Sequence, residues 1–224
     1  MTKKYQFQNA TKLLKLAFEL DYFLPDENDG ITPIPYYWEP GKGNFVVVVG
    51  QNASGKSFFR RVLTSVARRT AVEGIHISME GRHNGGVMSA FVYGDEGHDA
   101  TGRNSAGTVL AGIRTCKGRE KSHIIVWDEP DFGLSDSWAR SMGITLRAFG
   151  EELPKHTLAA VVITHNKGLL RELLPLDPQF VCFGEEPQKT LSEWLSFEPE
   201  IQPLEKLSEE SRKRYRLIRR ILKD

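Results

Sequence analysis

An apolar run over residues 45–49, Phe45 followed by four valines, leads directly into the octet Gly50, Gln51, Asn52, Ala53, Ser54, Gly55, Lys56, Ser57. Behind the octet, Phe58, Phe59, Val62, Leu63 and Val66 recur at the spacing of one helical face. A valine-rich run without polar alternation is the pattern of a strand buried on both sides in a parallel sheet, so the octet is the turn between a central strand and a helix. Its form, G-x-x-x-x-G-K-S, is that of a phosphate loop, and strand-then-helix is the context the motif needs. By composition alone, these fixed positions coincide in roughly one chain of this length in a hundred. Glycines let the backbone wrap an anion, and the amides of Gln51, Asn52, Ala53, Ser54, Gly55, Lys56, Ser57 and Phe58, with the helix N-terminus behind them, face it. The Lys56 ammonium neutralises the outer phosphates of a nucleoside triphosphate, and the Ser57 hydroxyl reaches Mg²⁺.

The rest of the chain fits around that turn. Its 224 residues, 40% hydrophobic and 26% charged, suit one compact α/β domain spanning residues 1–224. Residues 10–23 read as an amphipathic covering helix carrying Leu13, Leu14, Ala17, Phe18 and Leu20 and closed by Pro25. Strands are expected over 74–79, 87–93, 123–127 and 158–164, with helices over 57–69 and 137–149. That alternation predicts a mostly parallel central sheet flanked by helices. Lys and Arg number 30 against 29 for Asp and Glu, and a net charge of +1 excludes a global field drawing the chain to nucleic acid or an anionic membrane. Cys116 and Cys182 sit in or beside apolar stretches and read as buried thiols of a reducing compartment, which makes the cytoplasm the expected location. Charges interrupt the first helix, so it is neither a signal-peptide core nor a membrane span.

Two further segments carry chemistry. The run His123 to Trp127 ends in Asp128, Glu129 and Pro130, which puts two acids at the carboxyl end of a buried strand, where parallel sheets hold their ligands. Asp128 is positioned to hold Mg²⁺ through water, since this ion keeps most of its hydration shell. Glu129, one residue on, can orient a water for in-line attack. The run over 158–163 ends in Thr164, His165 and Asn166, and a histidine there can hydrogen-bond a γ-phosphate and report its presence.

Taken together, Gly50 to Ser57, Asp128-Glu129-Pro130 and His165 resemble the ABC ATPases in order and spacing over residues 40–170. The resemblance implies a P-loop NTPase fold, Mg-ATP as ligand, and an ATP-dependent homodimer formed head to tail. It also assigns roles: Lys56 to the phosphates, Ser57 and Asp128 to the metal, Glu129 to the attacking water and His165 to the switch. That family carries a signature, L-S-G-G-Q, upstream of the acids, and Asn104, Ser105, Ala106, Gly107, Thr108 is a degenerate version at the start of an expected helix. Ser105 and the Gly107 backbone would then donate to a γ-phosphate of the opposite subunit. An ordinary serine N-cap is the competing reading.

The departures from the family pattern narrow the class. Asp136 falls one place later than the family's aspartate, and no glutamine lies between Ser57 and the signature. The interval from Ser57 to Ser105 is short, which implies a reduced helical subdomain and disfavours a transporter subunit. The loop is more similar to those of compact SMC-type and RecF-like ATPases of DNA repair and phage defence. Tyr22, Phe23, Tyr36, Tyr37 and Trp38 are candidates to stack on adenine, with core packing as the simpler role for most of them.

A C-terminal helix over 208–224 carries Arg212, Lys213, Arg214, Arg216, Arg219, Arg220 and Lys223 around Tyr215, Leu217, Ile218, Ile221 and Leu222. It can dock through Ile218 and Leu222, bind nucleic-acid phosphates, or fill a partner's groove. Arg60, Arg61, Arg68 and Arg69 form a second basic group, read as solvated. The expected function is an ATP hydrolase that drives a partner protein or a DNA-associated process. The alternatives are a nucleotide-switched binding module with little turnover, a transporter subunit, and a small-acceptor kinase.

Overall fold

The computed structural model describes residues 7–27, 29–78 and 100–221. Along the chain come α1 (Ala10–Phe18), a 3-10 turn (Asp21–Phe23), β1 (Tyr36–Glu39), β2 (Phe45–Gly50), α2 (Lys56–Arg69) and β3 (Glu73–Ser78). They are followed by α3 (Thr101–Gly118), β4 (His123–Asp128), α4 (Asp136–Glu151), β5 (Thr157–Ile163), α5 (Lys167–Leu173), β6 (Gln179–Phe183), α6 (Leu191–Ser196) and α7 (Leu204–Ile221). The six strands form one sheet in the order β1-β6-β2-β5-β4-β3, parallel throughout except for β1, which pairs antiparallel with β6.

The central strands are apolar on both faces because both faces are covered. In β2, Val46 and Val48 join the layer built with α1 and α2, while Phe45, Val47 and Val49 join the layer built with α3, α4, α5 and α6. The same alternation sends Ile124 and Val126 of β4 to the first layer and Ile125 and Trp127 to the second. Each such side chain taken out of water contributes about 1.5–3 kcal/mol, and a polar residue at one of these positions is tolerated only with a partner, as at the strand start where buried His123 meets Thr157 Oγ1. The α/β class and the mostly parallel sheet flanked by helices follow from that pattern.

Several elements differ from the sequence reading. The first helix stops at Phe18 instead of running to residue 23, because Leu20 takes an extended conformation and the chain re-enters a short 3-10 turn. That break lets Phe23 meet Phe18 edge to face, 5.3 Å between centroids, and pack against Phe59 of α2, so tertiary packing overrides the helical period. The last helix starts four residues earlier than expected, at Leu204, directly behind Pro203, whose carbonyl accepts from Lys206 N. Strands β1 and β6 carry too short an apolar run to be told from buried helix by period. The strand that the sequence suggests over 87–93 lies outside the described residues, as do residue 79, much of the interval assigned to a reduced helical subdomain, and the tail from Leu222. Cys116 and Cys182 are buried and free. Among the described residues no helix is long and apolar enough to cross a membrane.

Sheet order positions the site. Strand β5 lies between β2 and β4, and Ile163 pairs with both Val48 and Asp128. The carboxyl ends of β2, β5 and β4 therefore lie level, and the three chains leave the sheet side by side.

Candidate functional site

Strand β2 ends at Gly50 with φ +141, and a Cβ there would stand 2.5 Å from the Phe183 carbonyl oxygen. Gly55, with φ +113, would drive a Cβ to 2.7 Å from Ile34 Cγ2. Only glycine satisfies both the backbone angle and the space at these two points. Between them Ala53 takes φ 59, and Ser54 N donates to Gln51 O at 3.3 Å to close the turn. Gly55 serves as N-cap of α2 without a side-chain cap, so no side chain of that residue takes up the amides of the first turn. The Ser54 hydroxyl is buried with no hydrogen-bond partner. An uncapped helix end beside an orphaned hydroxyl is a cradle suited to an anion.

Lys56 fills the centre of this cradle. It is only 7% exposed, and its Nζ donates to the carbonyls of Gly50 and Gln51, both at 2.8 Å. Burial pulls the ammonium down to about 8, against the opposing pull of the nearby Glu129 and Asp128 carboxylates. A triphosphate offers it a better counter-charge than two carbonyls, which favours the charged form. Gln51, Asn52 and Ser57 are exposed at the mouth. Phe58 turns its ring to Tyr22, 4.8 Å away and edge to face, so this residue has a backbone amide to give and no ring.

The acids stand two strands away. Asp128 ends β4 half-buried, and Oδ2 lies 3.4 Å from Arg60 Nε. Arg60 is 4% exposed, and its Nη1 donates to Ser78 Oγ at 2.6 Å. The sequence reading groups Arg60 with solvated arginines, and the structure corrects this: Arg60 is the buried counter-ion of Asp128. Its position four residues after Lys56, on the flank of the apolar stripe beside Leu63 and Ala67, is the signal that sequence reasoning passed over. Glu129 follows at φ 53, with its N–H donating to Ile163 O at 2.8 Å. A glutamate in the left-handed region is uncommon and costs of order 1–3 kcal/mol; such strain clusters at functional sites. The turn carries the Glu129 side chain out of the strand and leaves it exposed.

His165 leaves β5 between these two groups. Its Nε2 is buried without a hydrogen-bond partner, and burial, together with the nearby Lys56 ammonium, pushes the imidazole down to about 4. The ring is neutral at pH 7, with one ring nitrogen uncommitted. Lys56 is the common neighbour: its ammonium feels Glu129 and Asp128, and the His165 ring feels Lys56, all at the carboxyl edge.

The candidate signature is not gathered into this cluster. Helix α3 starts at Thr101, so Asn104 to Thr108 occupy its interior and not its first residues. Ser105 is fully buried and donates to Phe132 O at 2.6 Å, within its own chain. It is neither an N-cap nor turned outward. Gly107 is exposed, with nothing near the position of a Cβ. Of the aromatic candidates, Tyr36 stacks on Phe18 at 3.9 Å, Tyr22 and Phe23 pack in the same cluster, and Trp38 Nε1 donates to Gln179 Oε1 at 3.2 Å.

Sequence reasoning also missed the tether of the loop behind Glu129. Thr164 Oγ1 donates to Asp131 Oδ1 at 2.6 Å and accepts from Asn166 N at 3.0 Å. At the far end of the chain, Arg214 of α7 is buried and donates through Nη1 to Pro33 O at 2.7 Å, and Ile218 packs on the core. The last helix thus docks on the segment that carries Ile34 against Gly55, while Arg212, Lys213, Arg216 and Arg219 stay exposed.

The glycine loop at the carboxyl end of a central parallel strand, with acids and a histidine level with it, defines a P-loop NTPase fold. No protein-family model and no curated protein matches the chain. Among solved structures it is similar to Cdc6p from Pyrobaculum aerophilum, at 14% identity and a TM-score of 0.40. That match takes in 81% of this chain and 48% of Cdc6p, so the chain spans about half the length of this neighbour.

Proposed function

We propose that residues 1–224 form one ATPase domain of the ABC type, which binds and hydrolyses ATP and pairs head to tail around it. The observation that carries this reading is the clustering of Lys56, Asp128, Glu129 and His165 at the ends of three neighbouring strands, with Glu129 held at φ 53. The loop amides and Lys56 bind the triphosphate. Glu129 accepts a hydrogen bond from a water and aims it at the γ-phosphorus; a phosphorus–oxygen bond forms to that water as the bond to the bridging β–γ oxygen breaks, ADP keeps the electron pair, and the water's proton passes through Glu129 to the phosphate or solvent. ADP and phosphate leave. Neutral His165, in the tautomer that carries its proton on Nε2, donates that N–H to a γ-phosphate oxygen and reports whether it is present. The exposed Ser57 hydroxyl and the half-buried Asp128 carboxylate fit a Mg²⁺ ion that needs few protein ligands, and such an ion would supply charge neutralisation at the β- and γ-phosphates. Arg60 already counters part of the charge of Asp128, which suits a carboxylate that acts through water.

Phosphate loss releases the paired state, and the exposed cations of α7 are the surface through which a partner protein or DNA would feel that cycle. We place the chain in the cytoplasm. A second reading, a nucleotide-switched binding module with little turnover, is favoured by the inward hydrogen bond of Ser105, which removes one donor from any closure across subunits. Phosphate release measured against protein concentration, for the wild type and Glu129→Gln, separates the two. Hydrolysis across subunits predicts a rise steeper than linear and a loss of about 10²–10⁴-fold in the variant. Nucleotide-dependent association in light scattering without phosphate release would establish the switch instead.

A further inference from the structure

The Glu129 turn has no glycine at its strained position, so something else must hold it. Three contacts do so. Glu129 N donates to Ile163 O at 2.8 Å, which extends the β4–β5 pairing by one residue. Asp131 Oδ1 accepts from Thr164 Oγ1 at 2.6 Å, the length of a hydroxyl–carboxylate bond, and Thr164 is 1% exposed. Phe132 O accepts from Ser105 Oγ of α3, also at 2.6 Å. Phe132 N and Leu134 N close the turn on the Glu129 and Asp131 carbonyls, at 3.2 and 3.0 Å. The residue after Thr164 is His165. A single hydroxyl thus ties the carboxylate's loop to the strand end that bears the histidine.

We propose that Asp131 and Thr164, with Ser105 as the second anchor, are positioning residues that fix the Glu129 carboxylate relative to His165. This inference rests on the reading of Glu129 as the group that orients water. It gives Ser105 a role within its own chain in place of a donor to a second subunit. Buried hydroxyls and a half-buried aspartate are otherwise a costly way to close a surface loop, because each left unpaired costs free energy. A positioning pair acts on geometry at the transition state and not on the grip of the phosphates, so its loss lowers kcat and spares nucleotide affinity.

The test uses the full chain and compares kcat with ATP affinity, the latter read by a fluorescent ATP analogue. Thr164→Val keeps shape and removes the hydroxyl; kcat falls on the order of 10²-fold while affinity stays within about threefold. Thr164→Ser restores most of kcat. Asp131→Asn keeps an acceptor but not the charge and lies between the two. The double variant Thr164→Val with Asp131→Asn is no slower than Thr164→Val alone, since both remove one interaction. Unchanged kcat in Thr164→Val overturns the proposal, and so do equal losses in Thr164→Val and Thr164→Ser, or losses that multiply in the double variant. If Thr164→Val fails to fold, Asp131→Asn and Thr164→Ser carry the comparison, and a normal kcat in Asp131→Asn overturns it. Glu129→Gln run alongside distinguishes the failures: full turnover in that variant removes the reading of Glu129 itself, whereas its loss beside an intact Thr164→Val removes only the positioning pair.

Discussion

The glycine loop and the carboxylate loop solve one problem by opposite means. Each must hold a non-glycine residue in the left-handed region at a strand end, Ala53 at φ 59 and Glu129 at φ 53. Around Ala53 the chain uses backbone: Gly50 and Gly55 take the angles that side chains resist, and Lys56 is held by main-chain carbonyls. Around Glu129 it uses side chains from distant elements, with Thr164 and Ser105 tying the loop and Arg60 reaching across from α2 to the neighbouring Asp128. A backbone solution leaves a local trace in the sequence; a side-chain solution leaves residues scattered across more than a hundred positions.

The sharpest way to break that contrast is to remove an anchor from the carboxylate side. Arg60→Met takes the guanidinium away from a half-buried carboxylate, and stability should fall by at most about 3–5 kcal/mol, the cost of breaking a fully buried pair, read as a lower urea midpoint. Adding Asp128→Asn to Arg60→Met should return much of the loss. A midpoint that hardly moves in Arg60→Met would show that the ion pair holds nothing.

A smaller effect separates the two loops by pH. The His165 imidazole stands near 4 in the folded chain against an ordinary value of 6.5. Between those values the unfolded chain binds a proton that the folded chain refuses, so stability present above 6.5 is lost as pH falls toward 4. His165→Gln should therefore flatten the decline in melting temperature over that window. Some slope remains, because His123 is also pushed down by burial. Superimposable pH profiles would mean that the His165 ring is not held neutral by its surroundings.

These contrasts also explain what could be read from the chain. The valine run, the two glycines and Lys56 announce β2, the loop and α2 because each residue is needed for a local reason. Asp128, Glu129 and His165 were legible as polar residues leaving apolar strands at the carboxyl edge of the sheet. Arg60 was not, since a helix shows its burial only once β3 and β4 are laid beside it. Nor was the Thr164–Asp131 bond, which spans 33 residues. Ser105 was found for the wrong neighbour: the Ser-x-Gly spacing suggested an outward helix start, and the real start at Thr101 turns its hydroxyl inward. The helix over 10–23 was overrun for the same reason, because Leu20 gives up its turn so that Phe23 can join the aromatic cluster.

Everything proposed for this molecule needs the loop to grip a triphosphate through Lys56. Titration calorimetry of ATP into the wild type and Lys56→Ala tests that directly. The wild type should bind, and the variant should bind about 10²-fold more weakly or not at all, as the loss of charge-assisted contacts requires. Equal affinity in the two proteins, with the variant folded, would contradict the account.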